Sequence, residues 1–182
     1  MRARVITAST RAAQGSAGYT DRSGPVAVAR LDALGFEVDD AVVVADGEPV
    51  ERALRAAVDE GFDVVVTTGG TGLTPTDRTP EATMSVIRTQ VPGIAEAIRA
   101  AAISAGIGSA MLSRGLAGLA DGPEHATLIV NLPGSSGGVR DGMDVLEPVL
   151  VHAVEQLRGS DHPRPGTPGS GTPGSGTGTA AS

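Results

Sequence analysis

The stretch FDVVVTTGGTGLTPTDRTPEAT, residues 62–83, decides the fold of this chain. Its first seven residues are rich in valine and threonine, which is typical of a β-strand buried on both faces of a parallel sheet. The glycines that follow predict a tight turn, and Thr79 and Pro80 predict the N-cap and the first residue of a helix. The stretch therefore predicts a strand, a glycine-rich loop and a helix in direct succession.

The same alternation extends in both directions along the chain. Further strands are predicted at residues 2–9, 41–44 and 126–132, and helices at 25–35, 47–61, 79–88, 92–105 and 139–158. Residues 10–24 are expected to form a long polar loop. This order predicts an α/β fold with a mostly parallel, doubly wound sheet and helices on both faces. The turn signal Asp121-Gly122-Pro123 predicts a short antiparallel hairpin at one side of the sheet.

The last part of the chain has a different composition. Residues 159–182 are rich in Gly, Pro, Ser and Thr, repeat TPGSG and show no apolar periodicity. Such a segment buries too little apolar surface to offset the entropy of ordering its backbone. We therefore expect one folded domain over residues 1–158 and a disordered tail over 159–182.

The charged residues exclude several kinds of chemistry. All 14 basic residues are arginine and the chain has no cysteine, so a Walker A lysine, a Schiff-base lysine and a thiolate zinc site are absent. The net charge of −7 and the aromatic content of 2% argue against nucleic-acid and membrane surfaces. With no predicted signal peptide or membrane span, the expected location is the cytoplasm.

Polar groups are predicted to gather where the strands end. Thr7 and Ser9 close the first strand, Asp46 the second, residues 67–70 the third and 131–135 a later one. Ligands of open α/β sheets bind beyond the carboxyl ends of the strands, so we expect a site at this edge.

Two aspartates stand out at that edge. Asp77 precedes the predicted cap by two residues, where the helix does not require it, and Asp46 is expected at the end of a strand adjacent to the one before the glycine loop. Both also suit ordinary turns. Together they predict a hydrated Mg²⁺ that carries the phosphates of a nucleotide. The glycines themselves serve either ligand binding or a tight connection, and Ser113-Arg114 either contacts a terminal phosphate or lies on the surface.

The combined motifs resemble one family. TTGGTGLTPTDRTPEAT at 67–83, VPGIAEAIR at 91–99, LSRG at 112–115 and LIVNLPGSS at 128–136 precede a long closing helix, in this order. The chain resembles the MoaB/Mog family of molybdenum cofactor biosynthesis proteins over about residues 4–158.

The resemblance implies a three-layer α/β/α domain, the molybdopterin-binding fold, which is commonly a homotrimer. It implies transfer of AMP from Mg-ATP to the terminal phosphate of molybdopterin, with pyrophosphate as the second product and a molybdenum-insertion protein as a possible partner. Asp46 and Asp77 match the catalytic, metal-holding pair. The substrate-binding segments match Ser9, Thr68, Gly69, Gly70, Thr71, Gly72, Ser113, Asn131, Pro133, Gly134 and Ser135.

One detail departs from the family. Thr10 stands where catalytic members typically carry Asp, whereas Asp21 agrees with the acidic residue that they often have in the first long loop. A non-catalytic molybdopterin carrier of the same fold is the main alternative to the adenylyltransferase. A nucleotide pyrophosphatase of the related competence/damage-inducible class is the second.

Overall fold

The computed structural model describes residues 1–15 and 20–159. The strands are β1 (Arg2–Ala8), β2 (Glu37–Val38), β3 (Val42–Val44), β4 (Val64–Thr68), β5 (Thr89–Gln90), β6 (Ala117–Ala120) and β7 (Thr127–Leu132). The helices are α1 (Thr10–Ala13), α2 (Gly24–Ala33), α3 (Glu48–Asp59), α4 (Thr79–Met84), α5 (Pro92–Ser104) and α6 (Ser136–Leu157), with a 3₁₀ turn at Gly108–Leu112.

The strands of this part of the chain form one mixed sheet. β4 lies between β1 and β7, and all three are parallel. β2 and β3 both pair with the free edge of β1, also in parallel. On the other side β6 pairs antiparallel with β7, and β5 antiparallel with β6. The predicted mostly parallel sheet with an antiparallel hairpin is confirmed.

The helices cover both faces of the sheet because the side chains of each strand alternate between two cores. Val64 and Val66 of β4 pack with α2, α5 and α6, whereas Val65 packs with α3 and α4. All five residues of β4 are buried, as its unbroken valine and threonine run predicts. The domain is therefore a three-layer α/β/α structure.

Short elements differ from the sequence predictions. The expected loop 10–24 begins with α1, and β2 precedes β3. The helix predicted at 79–88 ends at Met84, because Arg88 N–H donates to Leu119 O and residues 89–90 join the edge of the sheet as β5. The closing helix starts at Ser136, three residues earlier than predicted, with the Ser135 hydroxyl accepting from Gly138 N–H.

Almost none of the predicted tail belongs to the described part of the chain. Of the tail predicted to be disordered at 159–182, the structure describes only Gly159, and the rest lies outside the described residues.

Among the described residues even α6, at 22 residues the longest helix, lacks the apolar stretch that a bilayer crossing needs.

Asp63, just before β4, joins three distant parts of the fold at the edge of the sheet opposite to the predicted site. Its side chain is 1% exposed. It accepts from Arg2 N–H at 2.6 Å, from Arg158 Nε and Nη2 at 2.7 and 2.8 Å, and it lies 2.6 Å from His125 Nε2. Burial alone raises the pKa of Asp63, but the hydrogen bonds from Arg158, Arg2 and His125 outweigh it and hold the pKa below the usual 3.8.

We expect Asp63→Asn to lower the free energy of unfolding by about 2–3 kcal/mol at pH 7, since it removes a buried charge that several donors require. Because the folded pKa is depressed, this contribution is present above the ordinary pKa near 3.8 and is lost as the pH falls through the lower folded value. Urea unfolding between pH 3 and 7 measures both effects. Asp121→Asn, which breaks an exposed pair with Arg88, is the control and costs less than about 0.5 kcal/mol. Equal losses in the two variants contradict this role of Asp63.

Candidate active site

A cavity of about 1030 Å³ lies beyond the carboxyl ends of β1, β3, β4 and β7. Its walls come from the residues that follow these strands and from residues 20–23, which precede α2. Thr7, Thr68 and the backbone of Gly69 and Gly70 form part of its lining. This is the edge of the sheet at which the sequence predicts a site.

Asp46 follows β3 and is half-buried in the wall of the cavity. Its Oδ1 accepts three hydrogen bonds, from Gly47 N–H at 2.7 Å, Arg78 N–H at 3.1 Å and the Thr79 hydroxyl at 3.3 Å. Its own N–H donates to Thr10 Oγ1 at 3.3 Å. Burial raises the pKa of Asp46, the nearby charge of Asp77 adds to the increase, and the three donors reduce it without cancelling it.

Thr79 has a different role from the one predicted. Arg78 is the N-cap of α4, no side chain caps this helix, and Thr79 is its first residue. Its N–H instead donates to Gly70 O at 3.1 Å, and its hydroxyl donates to Asp46. Thr79 therefore fixes the glycine loop and an acidic side chain at the same time.

Asp77 closes the loop that follows the glycines. Its Oδ2 accepts from Thr74 N–H at 3.1 Å and from the Thr74 hydroxyl at 2.7 Å. Asp46 and Asp77 line the same cavity. The prediction that they follow adjacent strands is wrong, since β1 lies between β3 and β4. They meet because the loop after β4 passes over the end of β1 to the end of β3.

Glycines allow the backbone and the carboxylates to approach each other closely. Gly69 and Gly70 have φ of 89° and 63°, in the left-handed region. A Cβ on Gly70 would lie 2.2 Å from Asp46 Oδ2, and a Cβ on Gly72 would lie 2.9 Å from Asp77 Oδ2. The glycine loop thus leaves room for both carboxylates beside the bare backbone.

The N-terminus of α6 forms the opposite wall. Gly134, Ser135 and Ser136 line the cavity there. A Cβ on Gly134 would lie 3.0 Å from Gly69 Cα, so the two loops are in backbone contact. The first N–H groups of a long helix carry partial positive charge, which favours an anion at this end of the cavity.

Asp21 anchors the base of the cavity. Its carboxylate accepts from the Thr7 hydroxyl at 2.7 Å, from Ser23 N–H and hydroxyl at 2.9 and 3.0 Å, and from Gly24 N–H at 3.0 Å. Burial raises the pKa of Asp21, but these four donors, led by Gly24, outweigh it and lower the pKa. The carboxylate fixes the loop before α2 to the end of β1.

Eight of the predicted site residues lie together around the cavity. These are Asp46, Asp77, Ser9, Thr68, Gly69, Gly70, Gly134 and Ser135. The lining does not include Thr71, Gly72, Ser113, Asn131 or Pro133. The Asn131 amide instead donates to the hydroxyls of Thr67 and Thr83 inside the core that lies under α4. The Ser113 hydroxyl accepts from Gly115 N–H.

Arg114 does not line the cavity, although a phosphate contact was one of its two predicted roles. Its guanidinium is held by the carbonyls of Gly72 and Asp77 and by Glu81, behind the glycine loop. The arginines that line the cavity are Arg11 and Arg22. Both follow β1, Arg11 in α1 and Arg22 shortly before α2, and their place beyond a predicted strand end is the sequence signal that indicates them.

Comparison with known proteins finds relatives over most of the chain. Residues 4–152 match the family described as "Probable molybdopterin binding domain". The chain is 40% identical over 162 residues to the molybdenum cofactor biosynthesis bifunctional protein of Synechococcus elongatus, covering 88% of this chain and 48% of that protein. It is 34% identical over 154 residues to the molybdopterin adenylyltransferase of Pyrococcus furiosus, covering 85% and 89%.

A solved structure agrees with the sequence relatives. The Mog protein from Mycobacterium ulcerans superposes with a TM-score of 0.78 at 47% identity, covering 87% of this chain and 97% of that one. The chain thus spans about half the length of the bifunctional relative. It matches nearly the whole length of the adenylyltransferase and of the Mog structure.

Proposed function

The chain belongs to the molybdopterin-binding domain family that its residues 4–152 match, and from this membership we propose that it is a molybdopterin adenylyltransferase. It transfers AMP from ATP to the terminal phosphate of molybdopterin. The observation that carries the proposal is the pair Asp46 and Asp77. Each carboxylate is held through one oxygen, Oδ1 of Asp46 and Oδ2 of Asp77, and both residues line the cavity.

The two aspartates fit a hydrated Mg²⁺. This ion prefers oxygen ligands and binds through one or two carboxylates together with water and substrate phosphates. In the described ranges, no group of three or more His, Cys, Asp or Glu side chains is placed to hold a metal. Asp46 and Asp77 would therefore share the ion with the phosphates of ATP. Once bound, it would neutralise charge on the phosphates of ATP during transfer of the adenylyl group.

The raised pKa of Asp46 supports the same assignment. Burial in the wall of the cavity, together with the nearby charge of Asp77, disfavours ionisation of Asp46, and a bound cation would offset that penalty. Thr10 keeps one contact of this site, because its hydroxyl accepts from Asp46 N–H. Although Thr10 replaces the Asp that the family usually carries, its hydroxyl still supports the position of Asp46.

The reaction needs positioning more than proton transfer. An oxygen of the molybdopterin phosphate bonds to the α-phosphorus of ATP, and the bond from that phosphorus to the β-bridging oxygen breaks, its electron pair leaving with pyrophosphate. A phosphate monoester is largely dianionic at neutral pH, with a second pKa of about 6, so no general base is required. Arg11, Arg22, the glycine-loop amides and the α6 N-terminus bind and orient the phosphates.

The test is incubation of the purified chain with molybdopterin, ATP and Mg²⁺, with adenylylated pterin and pyrophosphate as readouts. Formation of both products that stops when EDTA is added supports the proposal. Tight binding of the pterin without turnover supports the carrier instead. Pyrophosphate released without any pterin supports a nucleotide pyrophosphatase.

We also propose that the chain is a homotrimer, works in the cytoplasm and passes its product to a molybdenum-insertion protein, as the family resemblance implies. Large exposed apolar side chains support self-association. Met111 and Leu112 are 67% and 55% exposed, and Leu73 is 62% exposed. They lie on one side of the molecule, since Arg114 N–H donates to Thr71 O and brings their segments together.

We expect light scattering to give a mass of three chains of 18.1 kDa each. Met111→Glu shifts this mass towards that of one chain, because a charge cannot be buried in an apolar interface without a partner. Arg140→Gln, on an exposed position of α6, changes the net charge by the same one unit and is the control. A single-chain mass for the unaltered protein at micromolar concentration contradicts the trimer.

A further inference from the structure

Arg114 makes four contacts with one short segment of the chain. Its N–H donates to Thr71 O at 2.9 Å, its Nε to Gly72 O at 2.7 Å and its Nη2 to Asp77 O at 2.6 Å, while Nη1 pairs with Glu81. One arginine thus contacts the beginning and the end of the loop that follows the glycines.

The loop has few other attachments. Residues 71–78 belong to no strand or helix, and Leu73, Thr74, Pro75 and Thr76 are exposed. Within the loop, Thr74 forms hydrogen bonds with Asp77 and with Thr76. In the described part of the chain, the hydrogen bonds that join this loop to the rest of the domain come from Arg114 and, at its end, from Arg78 N–H to Asp46.

We propose that Arg114 is the positioning residue for Asp77: it fixes the loop over residues 71–77 and so holds the Asp77 carboxylate against the cavity. This inference rests on the proposed adenylyltransferase function. Arg114 does not contact substrate, because its guanidinium is occupied by loop carbonyls and Glu81 and it is not part of the cavity lining.

The geometry requires arginine in particular. A guanidinium presents five N–H donors in a rigid planar fork, so Nε and Nη2 reach two carbonyls that are five residues apart in sequence. A lysine ammonium is a point charge on a flexible stem and does not hold both acceptors in one plane. Glu81 neutralises the charge of Arg114, which leaves orientation as its main contribution.

The test compares Arg114→Lys and Arg114→Ala with the unaltered protein in two independent measurements. Amide hydrogen exchange of residues 71–78 in the protein alone is expected to become roughly 10-fold faster in both variants, while the strands keep their protection. In the adenylylation assay kcat is expected to fall roughly 10²-fold, since a displacement of about 1 Å is enough for such a loss. The KM for ATP and for molybdopterin changes little, and the Mg²⁺ concentration for half-maximal rate rises.

Two further variants sharpen the comparison. Glu81→Gln keeps an acceptor for Nη1 and leaves the carbonyl contacts in place, so its rate and loop exchange stay close to those of the unaltered protein. Arg88→Lys changes an arginine that pairs with Asp121 on the surface, and leaves both readouts unchanged. If Arg114→Ala does not fold, Arg114→Lys carries the test alone.

Three results overturn the inference. In the first, Arg114→Lys keeps both the loop protection and kcat. In the second, the variants raise KM for a substrate while loop exchange is unchanged, which assigns Arg114 to substrate binding. In the third, loop exchange rises without any change in kcat or in the Mg²⁺ requirement. If the unaltered protein transfers no AMP, the proposed function fails, and the exchange measurement still decides whether Arg114 fixes the loop.

Discussion

Asp46→Asn combined with Asp77→Asn is expected to lower the rate of AMP transfer at least about 10³-fold, because neutral amides do not hold the cation that the phosphates require. The Oδ1 of asparagine at position 46 still accepts the hydrogen bonds from Gly47, Arg78 and Thr79, so the end of the glycine loop keeps its conformation. Rates with saturating molybdopterin and increasing Mg²⁺ measure the effect. Excess Mg²⁺ does not restore the double variant.

Stability is expected to change in the opposite direction to activity. Since the pKa of Asp46 is raised in the folded state, its ionised form is disfavoured by folding, and above that pKa the charge subtracts from stability. Asparagine removes the charge, so the urea midpoint of Asp46→Asn at pH 7 is equal to or above that of the unaltered protein. A large loss of stability contradicts this account of the site.

A matched control separates the site from net charge. Asp32 and Asp59 are exposed on α2 and α3, and replacing both with asparagine changes the charge by the same amount. That variant retains full activity. Equal product formation by the Asp46, Asp77 double variant contradicts the mechanism even if the chain remains an adenylyltransferase.

Gly70→Ala is expected to cause a roughly 10²-fold loss of activity together with a loss of stability. The new Cβ would lie 2.2 Å from Asp46 Oδ2 and 2.3 Å from Thr79 Oγ1, so both side chains must move. The φ of 63° adds a conformational cost of about 1–2 kcal/mol for any residue with a Cβ. The adenylylation assay and urea unfolding measure the two consequences separately.

Gly93→Ala is the control for Gly70→Ala. Gly93 lies in the first turn of α5, where a Cβ meets nothing within 4 Å. Alanine there preserves activity and, by its helix propensity, leaves stability equal or higher. An active Gly70→Ala protein shows that Asp46 does not need its present position.

The larger elements were predictable from the sequence for local reasons. Proline at the start and glycine at the end set the limits of α2 and α3, and the valine run of β4 indicates burial on both faces. The elements that were missed are short. α1 has four residues, and β2 and β5 have two each, so none is long enough to repeat a periodic pattern of apolar residues.

The sequence predicted which residues follow the strand ends, but not the contacts that their side chains make. Asp46 and Asp77 were predicted from their places beyond strand ends; they line one cavity, and their catalytic role stays a prediction. Asn131 was expected there too, yet strand alternation turns its side chain towards the other core, where it bonds Thr67 and Thr83. Register and side-chain direction decide such cases, and neither is fixed until distant strands have paired.

The order of strands has a consequence for how the chain reaches this structure. In the middle of the sheet Ala3 lies opposite Val64, and Val64 lies opposite Leu128, so each pairing closes a long segment of chain. The entropy of loop closure opposes these pairings before they contribute any contact, and high contact order slows folding. During synthesis, the valine-rich β4 remains without one neighbour until residues 127–132 leave the ribosome. We therefore expect chaperone binding to matter most in that interval, when an apolar strand edge is open to aggregation.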